Sequence, residues 1–130
     1  MSPAELIKIA RNVQANAYCP YSGLSVGAAL LTTGGKIYTG ANIENASYSL
    51  TICAERVALF NAVSAGEKNF CLLAITSSKP GFIYPCGACL QVMAEFGHDL
   101  VIIVADELNN YKEFGIDELL PRTFEFKTEK

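Results

Sequence analysis

Two short apolar runs separated by a helix-length segment constrain the fold more than any other feature of this chain. Cys71 to Thr76 lies between Asn69 and the turn-rich Ser77-Ser78-Lys79-Pro80-Gly81, and Leu100 to Ala105 is a second run of the same kind. Each reads as a buried strand. Between them Pro85 precedes a helical segment, Cys86 to Phe96, which Gly97 stops. Strand, helix and strand of these lengths predict a parallel crossover unit, because parallel neighbours cannot be joined by a tight turn.

The rest of the chain supplies a hairpin and more helix. Ser2-Pro3-Ala4-Glu5 predicts a helix start, with Ser2 as N-cap, Pro3 at the first helical position and Glu5 closing a capping box. Pro20 in Cys19-Pro20-Tyr21-Ser22-Gly23 ends that helix. Ser25 to Leu31 and Lys36 to Ala41 flank Gly34-Gly35, which suits a tight antiparallel turn. Cys53 to Ala65 is rich in Ala, Leu and Glu and is followed by Gly66, so it predicts a second helix. A short edge strand near Tyr111 to Phe114 and a helical turn around Asp117 to Leu120 complete the reading. The expectation is an α/β fold in three layers, α/β/α, around a mixed sheet of about five strands, in a single domain over residues 1–130.

Composition removes several function classes. No apolar run approaches the roughly 20 residues of a membrane-spanning helix. Met1 to Glu5 lacks a basic stretch followed by an apolar one, which makes the cytoplasm the expected compartment. The formal net charge is −3, and lysine and arginine are scattered, so the electrostatic footprint of a polynucleotide binder is missing. A small uncharged ligand fits better.

The five cysteines, Cys19, Cys53, Cys71, Cys86 and Cys89, are an odd number in a chain read as intracellular, which points to metal or burial rather than a disulfide framework. Cys86 and Cys89 are spaced C-x-x-C at the start of a predicted helix, where residues three apart share a face. That pair fits a thiol redox motif, two buried small residues or half of a metal site. Cys53 changes the weighing, because it too opens a predicted helix and Glu55 follows two residues later. Three protein ligands leave a position open for water, the pattern of a catalytic zinc, whereas structural sites close with four. Cys71 lies in an expected core strand and Cys19 in a loop with no partner at ligand spacing, so neither is taken as a fourth ligand. Glu55, otherwise a first-turn glutamate favoured by the helix dipole, becomes the carboxylate that moves protons to and from a metal-activated water.

Cys53-Ala54-Glu55-Arg56 with Pro85-Cys86-Gly87-Ala88-Cys89 resembles the zinc signature of the cytidine deaminases, in the three-cysteine form of the small homotetrameric enzymes. Cys19-Pro20-Tyr21-Ser22, Val26 to Leu31, Asn42-Ile43-Glu44-Asn45-Ala46 and Glu118-Leu119-Leu120-Pro121 match the same family in order, so the resemblance covers nearly the whole chain. It implies one zinc ion per chain on Cys53, Cys86 and Cys89, with Glu55 as proton shuttle in the attack of activated water on C4 of cytosine. It also implies Asn42 and Glu44 as partners of the ribose hydroxyls of cytidine or deoxycytidine.

The resemblance further implies a homotetramer whose sites are completed by neighbouring subunits, with Tyr48 and Phe124 at the positions used. Three thiolates leave a zinc site negative, and Arg56 is expected to compensate by donating to one or two of the sulfurs. Two residues depart from the family pattern: Leu24 stands where a phenylalanine often lies near the nucleoside, and Leu90 where an arginine commonly follows the third cysteine. His98, the only histidine, follows the Gly97 stop and is read as a surface or capping residue. The competing readings are a deaminase of a modified cytosine nucleoside such as blasticidin S or of a free base, a non-enzymatic structural zinc module, and a thiol redox protein.

Overall fold

The computed structural model describes residues 1–126. Its helices are α1 (Pro3–Gln14), α2 (Ala54–Ser64), α3 (Gly87–Glu95) and a short α4 (Ile116–Leu119). The strands are β1 (Val26–Thr32), β2 (Ile37–Ala41), β3 (Phe70–Ser77), β4 (Val101–Ala105) and β5 (Tyr111–Gly115). They form one sheet in the order β2-β1-β3-β4-β5. Only β3 and β4 run parallel, joined across α3, and every other neighbouring pair is antiparallel.

The capping box forms as expected: the Ser2 hydroxyl accepts from the Glu5 N–H at 3.2 Å and Glu5 Oε1 accepts from the Ser2 N–H at 3.1 Å. Helix α1 lays Leu6, Ile7 and Ala10 on one face of the sheet, against Ala29, Leu31, Ala74 and Ile103. Helices α2 and α3 cover the other face, against Ala28, Leu30, Leu73, Ile75, Ile102 and Val104. Alternate residues of each central strand therefore point into different cores. With both faces covered, β1 is buried along its whole length.

Cys71 departs from the sequence reading. Strand β3 forms, but Leu31 pairs with Leu72 and Thr32 with Phe70, leaving Cys71 as the extra residue of a β-bulge. The bulge turns Cys71 out of the core and leaves it exposed.

Two glycines bring helices unusually close. A Cβ on Gly40 would stand 2.6 Å from the carbonyl oxygen of Ala54, and one on Gly27 would strike the carbonyl of Ala10. Gly40 thus lets the first turn of α2 rest directly on β2, and that turn carries Glu55.

Candidate active site and metal centre

Cys53 is the N-cap of α2, and Cys86 is the N-cap of α3 with Cys89 one turn inside. The two helix starts converge, and the three sulfurs lie within 4.8 Å of one another. Among the described residues this is the only group of three or more potential ligand side chains so placed. Cys86 Sγ and Cys89 Sγ are 3.4 Å apart, and Cys86 Sγ accepts from the Cys89 N–H at 3.4 Å. Neither Cys19 nor Cys71 joins the group.

The donor set fits a thiophilic dication. The Cys53 thiol is held down to about 5, first by a hydrogen bond from Cys89 and, among the lesser causes, by Arg56 beside it. The Cys89 thiol is pushed up because it donates that bond and is buried. The pair gives up one proton readily and holds the second, which a cation on the sulfurs would displace. Three close sulfurs at two helix N-termini match the three-ligand pattern of a catalytic zinc.

Arg56 Nη2 lies 3.5 Å from Cys53 Sγ, so the expected contact to the sulfurs is made to one cysteine. The same sulfur, first among the causes, reinforces the guanidinium charge. Arg56 Nε is buried without a partner among the described residues.

Glu55, in the first turn of α2, is 6% exposed. Burial is the largest cause of its carboxyl rising to about 7, and the charge on Cys53 adds to it. A carboxyl poised near neutrality accepts and returns protons with little penalty either way.

A cavity of about 320 Å³ opens over this cluster. Cys53, Cys86 and Glu55 form its floor, and Leu24, Asn42, Glu44, Ile83 and Tyr84 are among its walls. An adjoining recess of about 350 Å³ shares Ser22, Glu44 and Thr51 but touches none of the sulfurs. The chemistry therefore belongs to the cavity that the sulfurs line.

Asn42 and Glu44 both reach that cavity, already partly engaged. Asn42 Oδ1 accepts from the Val26 N–H at 2.8 Å and Nδ2 donates to the Leu24 carbonyl at 2.8 Å, leaving one amide hydrogen for a ligand. Glu44 accepts from the N–H groups of Tyr21 at 2.9 Å and Ser22 at 3.1 Å, and from the Ser22 hydroxyl.

Tyr48 and Phe124 are 74% and 73% exposed, so neither is a core aromatic of its own chain. Tyr48 stands in the adjoining recess with its ring 5.9 Å from that of Tyr21. Phe124 is tied by its backbone to the Gln91 amide, at 2.8 and 2.9 Å, away from the cavity. Leu24 packs against the core and lines the cavity, whereas Leu90 is buried and does not. His98 lies outside the sulfur group, with Nδ1 2.7 Å from Asp117 Oδ1. Ser22, Thr51, Ile83 and Tyr84 also line the cavity, and sequence reading gave none of them a role. Ser22 belongs to Cys19-Pro20-Tyr21-Ser22, and that segment is the one sequence signal for any of the four.

The sequence pattern of the cytidine and deoxycytidylate deaminase zinc-binding region matches residues 2–105. A probable cytidine deaminase of Dictyostelium discoideum is 50% identical over 119 residues, 91% of this chain and 80% of that protein. A cytidine deaminase of Sporosarcina psychrophila is 44% identical over 125 residues, 95% of this chain and 92% of that protein. The crystal structure of cytidine deaminase from Burkholderia pseudomallei superposes with a TM-score of 0.90 at 42% identity, covering 95% of this chain and 100% of that one. With the pattern, the sequence and the fold in agreement over most of its length, the chain belongs to the cytidine and deoxycytidylate deaminase family.

Proposed function

We propose that the protein is a zinc-dependent cytidine deaminase that converts cytidine and deoxycytidine, with water, to uridine and deoxyuridine plus ammonia. The observation that carries this reading is that buried Glu55, Cys53 and Cys86 line one cavity, with the sulfur of buried Cys89 within 4.8 Å of the other two. Cys53, Cys86 and Cys89 hold the zinc, which when bound supplies the positive charge that makes water a nucleophile at neutral pH. Glu55 takes the protons of the attacking water and delivers one to N3 and one to N4 of the cytosine ring. The C4–N4 bond then breaks, the nitrogen leaves as ammonia, and C4 keeps the oxygen as the uracil carbonyl. The raised carboxyl of Glu55 suits both halves of that transfer.

Asn42 offers its remaining amide hydrogen, and Glu44 its carboxylate, to the hydroxyls of the sugar. Exposed Tyr48 and Phe124 support a homotetramer in which a neighbouring chain covers the open side of each site. The same reading places the enzyme in the cytoplasm; no helix among the described residues is long and apolar enough to cross a membrane.

The test is ammonia release, with the ultraviolet change from cytosine to uracil, by zinc-loaded protein given cytidine or deoxycytidine. Glu55→Gln keeps the zinc and loses about 10²–10⁴-fold in turnover. Wild-type protein carrying one zinc per chain and inert toward both nucleosides would overturn the reading, and would favour a modified cytosine nucleoside as substrate or a structural zinc. Sedimentation velocity on the same protein reads the assembly, and a monomer would remove the tetramer.

A further inference from the structure

The segment between β3 and α3 carries both a cavity wall, Ile83 and Tyr84, and the ligand Cys86. Among the described residues, the backbone of Phe82, Ile83 and Tyr84 has no hydrogen-bond partner. Side chains of the sheet edge hold it instead. Lys112 Nζ of β5 sits 4.5 Å above the Phe82 ring. The Tyr84 ring meets Phe114, also of β5, edge to face at 5.6 Å. Glu107, in the turn between β4 and β5, accepts from the Gly81 N–H at 2.7 Å.

Register explains why β5 can do this. Lys112 pairs with Val104 and Phe114 with Ile102, and both partners belong to the core on the α2 and α3 side. Lys112 and Phe114 therefore project onto the face of the sheet that carries the site. Core building accounts for only part of the cluster: Phe82 and Phe114 pack against the core, whereas Tyr84 is 46% exposed and Lys112 is exposed as well. Pro85, by contrast, is buried, and Cys86 is fixed by capping α3.

The geometry points to Lys112 and Phe114, assisted by Glu107, as positioning residues that press the Phe82–Tyr84 segment into place and so set the wall against which the nucleoside rests. None of the three lines the cavity. They act through Ile83 and Tyr84, and they leave the metal ligands alone because buried Pro85 and the cap on α3 hold Cys86 independently. This rests on the proposed deaminase reading of the same cavity.

The experiment compares zinc-loaded wild type with Phe114→Ala, Phe114→Tyr, Lys112→Gln and Lys112→Arg. Phe114→Ala and Lys112→Gln should raise KM for cytidine about two- to tenfold, the reach of one aromatic or cation–π contact, with kcat and zinc per chain unchanged. Phe114→Tyr and Lys112→Arg keep the ring and the charge and should restore KM. A purely structural role would lower Tm and the active fraction, hence kcat, and leave KM in place; that result overturns the inference. Amide exchange at Gly81 is followed in the same proteins, and it should quicken in Phe114→Ala. That readout survives a wild type inert toward cytidine, which would sink the deaminase reading; unchanged Gly81 exchange would sink the tether.

Discussion

The guanidinium of Arg56 reaches back one turn along α2 and places Nη2 3.5 Å from Sγ of Cys53. Residues three apart on a helix are neighbours, so a thiol at the N-cap, proposed as a metal ligand, and a cation at the next turn meet without help from the rest of the fold. A cation donating to a metal-bound sulfur draws charge from it and leaves the metal the stronger acid. Arg56→Ala should therefore cut turnover more than it cuts zinc content, by about 10-fold or more against a modest loss of metal. Turnover and zinc per chain measured on one preparation decide it, and unchanged turnover removes Arg56 from the mechanism.

Glu44 gives a dependence on pH. The Ser22 hydroxyl is first among the groups that hold its carboxyl below the ordinary value of 4.5, and the N–H groups of Ser22 and Tyr21 assist. A depressed folded value means that these bonds contribute fully above 4.5 and are lost as the pH falls through the depressed value. Ser22→Ala should move the Glu44 titration upward toward 4.5, read by carboxyl carbon NMR, and should raise KM for cytidine. A titration that does not move would show that the hydroxyl is not what anchors Glu44.

Gly40 tests the seating of α2. The Cβ of Gly40→Ala would stand 2.6 Å from the Ala54 carbonyl and closer still to the Ala58 nitrogen, both of them backbone atoms that cannot rotate away. Forcing the helix off the strand should cost about 1–3 kcal/mol. Because Ala54 adjoins Cys53, a chelator competition should also show weaker zinc binding. Thermal unfolding that matches wild type would mean that the helix start tolerates displacement.

The parts of the site legible in the sequence are those set by local rules. Helix starts follow from Ser2, Pro3 and Pro85, and the crossover follows from two apolar runs on either side of a helix. Ligand spacing at Cys86 and Cys89 needs nothing beyond helical periodicity. What was hidden depends on register or on contacts between distant segments. The bulge that expels Cys71 is a property of two strands paired together. The bonds from Asn42 to Leu24 and Val26 span 18 and 16 residues. Phe82, Tyr84, Lys112 and Phe114 are ordinary residues in sequence, and only the sheet order brings them together.

Cys53 begins α2 yet bonds to none of the amides in its first turn. Serine or aspartate at such a place would satisfy one of those amides and firm the helix. Here the side chain faces the other two sulfurs, so the turn that holds Glu55 starts without a cap from its own chain. Stability and chemistry compete for one side chain. A substitution chosen only to strengthen that helix, Cys53→Ser above all, would remove a proposed metal ligand in the act of making the protein firmer, and a search for sturdier variants that ignores the metal would select against the enzyme.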